Sequence, residues 1–163
     1  MSRTKKSDLI KSSYRLAALI ILVSININSL SAQTEASTNT HKIGESYRGG
    51  IVFYVTPNGR HGLIAETQDQ STACSWYNAQ DIISTSSNHS KEGQKFTDWR
   101  LPTKNELNLL YLQKSVVGGF ANNYYWSSTE ALFNYAWGQN FSSGYQVADY
   151  KNNASYVRAI RAF

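Results

Sequence analysis

Asp98-Trp99-Arg100-Leu101-Pro102-Thr103-Lys104-Asn105-Glu106-Leu107 is the stretch on which the reading of this chain turns. Pro102 cannot sit inside a helix, Thr103 follows it, and Glu106 comes three residues later. In that spacing the threonine hydroxyl accepts from the amide near Glu106 while the glutamate carboxylate accepts from the Thr103 amide, a reciprocal helix start. Leu107, Leu110 and Tyr111 then form one apolar stripe, which predicts an amphipathic helix. Working upstream, Trp76, Ala79, Ile82 and Ile83 recur at spacings of three and four and predict an earlier helix. The polar run Ser84 to Gln94 reads as the loop between them. Further upstream, Ile51 to Thr56 has the β-branched and aromatic content of a strand. Pro57-Asn58-Gly59 signals a turn, and His61 to Glu66 returns as the second arm of a hairpin. Downstream, Val116 to Phe120, with Gly118-Gly119, reads as a crossing segment. Four aromatic-rich runs follow, Tyr124 to Thr129, Tyr135 to Phe141, Tyr145 to Tyr150 and Tyr156 to Ala162, broken by Asn, Ser and Gly as antiparallel strands are. The predicted class is α+β.

The N-terminus has the pattern of a secretory leader over residues 1–32. Arg3, Lys5, Lys6, Lys11 and Arg15 precede the apolar run Leu16 to Val23, and the small residues Ser29, Ser31 and Ala32 offer a cleavage site. The alternative is an uncleaved anchor, but the run is short against the roughly 20 apolar residues a span needs. Residues 33–42 are polar and aperiodic and read as a disordered linker; the domain is expected over 43–163. The chain carries 16 Lys+Arg against 11 Asp+Glu. Five of those bases and one acid, Asp8, lie in the leader, which leaves +1 for the rest. Global attraction to nucleic acid therefore does not follow, and no membrane span is expected after cleavage. The single cysteine, Cys74, excludes an internal disulfide and reads as a small buried residue. Aromatic packing must replace covalent staples: 20 of the 21 Phe, Trp and Tyr residues lie beyond the leader.

The opening stretch does not stand alone. Gly49-Gly50-Ile51-Val52-Phe53-Tyr54, His61-Gly62-Leu63-Ile64-Ala65, Tyr125-Trp126-Ser127-Ser128-Thr129-Glu130 and Val157-Arg158-Ala159-Ile160-Arg161-Ala162-Phe163 flank it in a set order. Together they resemble the C-terminal domain family of the Legionella collagen-like adhesins, of the C-type-lectin-like superfamily, from about Ile43 to Phe163. The resemblance implies a C-type-lectin-like domain with two helices packed on short antiparallel sheets. It also implies N- and C-terminal strands paired in one sheet, which suits strands at Ile51 and Val157. In function it implies a bacterial, secreted or cell-surface, non-catalytic module that binds a glycan in adhesion, sulfated glycosaminoglycans included. The alternative is a structural or protein-interaction module of the cell envelope, with an extracellular protein as ligand and no sugar affinity. The collagen-like stalk that trimerises those adhesins has no counterpart here, so no oligomeric state carries over.

No enzyme is expected. His41, His61 and His89 are isolated, and no metal-ligand spacing, nucleophile elbow or phosphate loop occurs. No cofactor is expected either. Calcium serves many sugar-binding relatives through Glu-Pro-Asn and Trp-Asn-Asp triplets, and neither is present. Trp137-Gly138-Gln139-Asn140 holds a comparable position without the carboxylates; a different calcium site would draw on Asp98, Glu130 or Asp149. Asp98 and Arg100 are expected to pair with each other. Of Arg158 and Arg161, three apart on one expected strand, one should face inward and the other solvent. Ligand-binding candidates come from strand alternation: Tyr125, Tyr145 and Tyr150, with Asn134 and Gln139, are expected to face out, and Trp126 and Trp137 to fill the core. For a sulfated ligand, Lys91, Lys95 and Lys104, with Arg100 and Lys114, form a modest basic patch interrupted by Glu92, Asp98 and Glu106; a solvated helix face explains it better.

Overall fold

The computed structural model describes residues 40–163; the leader and most of the expected linker lie outside the described residues. Residues His41–Phe163 form one compact unit. The order is β1 (Ser46–Tyr47), β2 (Gly50–Val55), β3 (Gly62–Glu66), β4 (Ser71–Cys74), α1 (Trp76–Ser84), two 3-10 turns, α2 (Lys104–Leu112), a one-turn α3 (Lys114–Val117), β5 (Tyr124–Leu132), β6 (Tyr135–Asn140), β7 (Gln146–Tyr150), β8 (Ser155–Val157) and β9 (Ile160–Ala162). The fold is α+β, and Cys74 is a buried free thiol. The ordered unit reaches back two residues into the stretch read as linker. The His41 amide donates to Gly59 O at 2.7 Å, and its ring sits 4.0 Å from Tyr47 and 4.7 Å from Phe163.

The reciprocal helix start is formed at α2. Thr103 Oγ1 accepts from the Glu106 amide at 3.3 Å, and Glu106 Oε2 accepts from the Thr103 amide at 2.8 Å. Leu107 and Leu110 are buried. The hairpin β2–β3 is antiparallel, with a register shift between Val52 and Tyr54. Val52 and Phe53, neighbours in sequence, both lie in the interior, in two different clusters. The first sheet, ordered β1-β2-β3-β9, is thus covered on both faces, which is why β2 is apolar throughout instead of alternating. One cluster gathers Val52, Ile64, Ala79, Ile83, Trp99 and Trp126 under α1. The other gathers Phe53, Ala65, Leu107, Leu110, Tyr125 and Phe141 under α2.

The second sheet is ordered β4-β8-β5-β6-β7. The run Tyr156 to Ala162, expected as one strand, is two. Ser155 and Val157 pair with β4, Ile160 to Ala162 pair with β3, and Arg158-Ala159 is the step between sheets. The strand that joins β9 in the N-terminal sheet is therefore β3, not the Ile51 strand, and Val157 belongs to the other sheet. The split also corrects the arginine expectation, because both side chains turn inward. Arg158 Nε donates to Asp69 Oδ1 at 2.8 Å, and its other nitrogens reach Glu66 O, Gly118 O and Gly119 O at 3.1, 3.2 and 2.7 Å. Gly118 and Gly119 have φ of 76° and 71°, conformations that present both carbonyls to the guanidinium without a Cβ penalty. Arg161 forks onto Asp98 at 2.8 and 3.0 Å and stacks over Phe96 at 4.0 Å. Asp98 thus pairs with Arg161, not with Arg100, which instead clamps Glu106 at 2.7 and 2.8 Å. A buried charge needs such a partner, and among the described residues every buried side-chain nitrogen and oxygen has one.

His89, read as lying in a polar loop, is buried. Its Nδ1 lies 3.1 Å from Glu66 Oε2, its Nε2 2.6 Å from Ile83 O, and its ring stacks on Trp99. The loop around it is polar in composition because it serves an interior carboxylate. Glu66 also accepts from the amides of Thr67 and Ser90.

Candidate ligand-binding surface

Strands β6 and β7 pair without a break: Tyr135 with Tyr150, Ala136 with Asp149, Trp137 with Ala148, Gly138 with Val147 and Gln139 with Gln146. Directly opposed residues share a face, and alternate residues return to it. One face therefore carries the rows Gln139–Gln146, Trp137–Ala148 and Tyr135–Tyr150. Strand β5 adds Tyr125 opposite Gln139 and Leu132 opposite Tyr135.

Helix α2 lies over the first of these rows and stops short of the last. Gln139 is buried there, donating to Asn108 Oδ1 at 2.9 Å and Gly144 O at 3.0 Å and accepting from Gln146 Nε2. Tyr125 is buried beside Phe141 and Phe120. Its hydroxyl donates to Asp69 Oδ2 at 3.0 Å and accepts from the Ala121 amide at 2.8 Å, and burial pushes its phenol up from the ordinary value. Both residues were expected to face out; both are interior, because the helix covers their end of the face. Trp137, expected in the core, is only half-buried. Lys104, in the first turn of α2, places Nζ 3.0 Å over its ring and so marks the inner edge of the open part.

Beyond Lys104 no described residue covers the face. Tyr135 and Tyr150 lie with ring centroids 4.3 Å apart, and Tyr150 is 54% exposed. Leu132 is 71% and Phe133 89% exposed at the tip of the β5–β6 hairpin, with exposed Asn134 next to them. Lys151 braces the tip from behind: it is buried, pairs with Glu130, donates to Phe133 O and sits over Trp76 at 4.4 Å. The result is a shelf of Trp137, Tyr135, Tyr150 and Leu132, with Lys104 at one end and Phe133 and Asn134 at the other.

Of the sequence-derived candidates, Tyr150, Asn134 and Lys104 come together on this shelf. Tyr145 is 64% exposed but stands at the other end of β7. Lys91 and Lys95 are elsewhere. Lys91 borders a cleft of about 450 Å³ with Arg48, Ser46, Thr67 and Ser90, and exposed Lys95 pairs with Glu92 at 2.6 Å. Arg100 is held by Glu106, and Lys114 is turned onto Phe141 O. Four of the five bases are thus engaged separately, by Glu92, Glu106, Phe141 O and the Trp137 ring, and Lys91 borders its own cleft, so they do not form one patch. The carboxylates weighed for calcium are likewise apart. Asp98 is on Arg161, Glu130 on Lys151, and Asp149 accepts from the Tyr150 amide and Asn153 Nδ2. Among the described residues no three His, Cys, Asp or Glu side chains converge. Sequence reasoning missed Leu132 and Phe133. The available signal was two large apolar residues beside Asn134 in a turn, where polar residues are the norm.

Residues 54–161 match the family described as the Lcl C-terminal domain. The chain belongs to that family. The Lcl match spans well over half of the chain and runs inside the stretch that carries the sequence resemblance, from β2 to β9. No curated protein matches the chain. As an Lcl C-terminal domain the protein is adhesin-related. Among its described residues no helix is long and apolar enough to cross a membrane.

Proposed function

We propose that this protein is a secreted or cell-surface, non-catalytic binding module of C-type-lectin-like fold, and that it binds a glycan on the β6–β7 shelf. The observation that carries the reading is the row of half-buried Trp137 and Tyr135 and exposed Tyr150 on one sheet face. The face of an aromatic ring is electron-rich and attracts the polarised C–H groups of a pyranose, while Asn134 at the tip supplies amide donors and acceptors for hydroxyls. Lys104 adds a cation that a carboxylated or sulfated sugar can engage in exchange for the Trp137 ring. Two main helices against two short sheets, antiparallel except where β8 runs parallel to β5 at Tyr125–Tyr156, with strands from both ends of the domain in one sheet, support the C-type-lectin-like layout. The burial of Cys74, which pushes its thiol up, fits a module without a cysteine nucleophile. The exposed Leu132 and Phe133 favour a second reading, an extracellular protein ligand held on the same tip.

The test is a glycan array, neutral and sulfated, probed with calcium and with chelator, using the wild-type chain and Tyr150→Ala. Binding to neutral sugars that survives chelation and falls with Tyr150→Ala supports the shelf. Binding confined to sulfated chains, lost in salt and unchanged by Tyr150→Ala moves the site to the cleft of Arg48 and Lys91. Absence of any glycan binding leaves the protein-ligand reading.

A further inference from the structure

Each sheet has two outer strands, and three of the four are blunted. Strand β1 is two residues long and is followed by Arg48 at φ 44°. Strand β9 is covered by the segment at Arg100, which exchanges both backbone bonds with Ile160 at 2.9 Å. Strand β4 is short and out of regular register with β8. Strand β7 differs: it is five residues long, regular against β6, and free of Lys, Pro and bulges, the usual protections of an edge.

The outward groups of β7 follow from its ladder. The Asn140 amide donates to Tyr145 O and the Lys151 amide to Asn134 O, each at 2.9 Å. Bonded and non-bonded pairs alternate in an antiparallel ladder. Ala136–Asp149 and Gly138–Val147 are therefore the bonded pairs, and Gln146, Ala148 and Tyr150 turn their amides and carbonyls to the open edge. Those of Tyr150 are taken locally: its amide donates to Asp149 Oδ1 at 2.8 Å and its carbonyl accepts from the Asn153 amide at 2.9 Å. Among the described residues those of Gln146 and Ala148 remain without a backbone partner, with the small Ala148 at the middle of the strand.

We propose that the β7 edge pairs with the β7 edge of a second copy of this chain, antiparallel about a twofold axis at Ala148. In that register each Ala148 donates its amide to the other's carbonyl, and Gln146 lies opposite the partner copy's Tyr150. Asp149, the only charge in the strand, falls opposite Val147 and not opposite itself, so no like charges meet. The edge is complementary to itself without rearrangement at its centre, which is what selects a second copy over another extended segment. Asp149 and Asn153 hold the next groups along and keep the ladder short. The interface is smaller than that of a permanent dimer, and pairing is reversible on dilution. Opposed residues share a face, so the two shelves lie side by side on one continuous sheet, and a polymeric ligand is held at two points.

The test is sedimentation velocity on the chain as purified from its host, from about 1 μM to about 1 mM. A monomer–dimer equilibrium is expected, weakened at least about tenfold by Ala148→Pro, whose missing N–H is an outward one. Should that variant fail to fold by circular dichroism, Ala148→Lys places a protective charge on the same edge and is expected to have the same effect. Independently, Ala148→Cys treated with a short bis-maleimide is expected to give a covalent dimer, whereas Asn58→Cys, in the β2–β3 turn, is not; Cys74 is buried and out of reach. A chain that stays monomeric throughout, a dimer unaffected by a folded Ala148→Lys, or equal cross-linking at both cysteine positions overturns the proposal. Pairing of a monomer with an unrelated extended peptide overturns it too, by giving the edge a different occupant.

Discussion

Two aromatic groups sit on one face of one sheet and have opposite fates. Tyr125, Phe141 and Phe120 pack within 4.4 to 5.5 Å of one another, fully or largely buried, under Leu107 and Leu110 of α2. Tyr135, Trp137 and Tyr150 continue the same face a few residues farther along; the first two are half-buried and Tyr150 is exposed. Residue type does not separate them, nor does strand alternation. The separation is the length of α2, whose capped start at Thr103 and Lys104 fixes where cover begins. Chemistry on this face is decided by what lies over it, and the ion pairs behind the covered end hold that cover in place.

The largest way to break the contrast is to remove a tie on the covered side. Arg158→Met deletes the partner of Asp69 and leaves the carbonyls of Glu66, Gly118 and Gly119 unmet. Urea denaturation is expected to show a loss of about 3–5 kcal/mol; a loss below about 1 kcal/mol would mean that water replaces the guanidinium easily. Next comes the edge of the cover itself. Thr103→Ala removes one half of the reciprocal cap and is expected to cost about 1 kcal/mol, read as a lowered denaturation midpoint. It should also loosen Lys104 over Trp137 and change the tryptophan emission.

A smaller effect comes from acid. The hydrogen bond from Arg161 holds the Asp98 carboxyl below its ordinary range, and Arg100 and Thr103 do the same for Glu106 against the opposing effect of burial. A depressed folded value means stability that is present above the unfolded value, about 4 for Asp, and lost as pH falls through the folded one. Denaturation midpoints followed from pH 6 downward should therefore fall below about pH 4, and Asp98→Asn should flatten part of that fall. A variant as acid-sensitive as wild type would remove Asp98 from the account. The smallest stability effect belongs to the open end. Phe133→Ser and Tyr150→Ala are expected to stay within about 0.5 kcal/mol of wild type in thermal or urea melts. A change above about 2 kcal/mol at either position would place it in the covered group and deprive the shelf of its argument.

What could be read in the sequence was whatever is decided locally. The capped start of α2, the spacing of Trp76, Ala79, Ile82 and Ile83 in α1, and the Pro57-Asn58-Gly59 turn between β2 and β3 each depend on a few adjacent residues, and each is formed as expected. Readings that depended on distant chain failed. Alternation predicts Tyr125 and Gln139 facing outward with Tyr150 but carries no record of which end a helix will cover. Strand β4, Ser-Thr-Ala-Cys, lacks the large β-branched and aromatic residues that announce a strand; it exists because β8 offers a ladder. Asp98 and Arg100 look like partners at close spacing, yet Arg161, brought in by β9, takes the first and Glu106 the second. The shelf was legible only in part: Tyr150, Asn134 and Lys104 from composition and alternation, Leu132 and Phe133 not at all.

The step at Arg158-Ala159 bears on the order of events during synthesis. Strand β4 has no ladder until Ser155–Val157 arrives, β3 lacks its outer neighbour until Ile160–Ala162 does, and Asp69 and Asp98 wait for guanidiniums more than sixty residues farther on. A nascent chain that has emerged only as far as β7 holds most of its apolar residues and none of these fasteners. Both sheets are expected to close late in elongation, which leaves such a chain open to chaperones and proteases until β8 and β9 emerge.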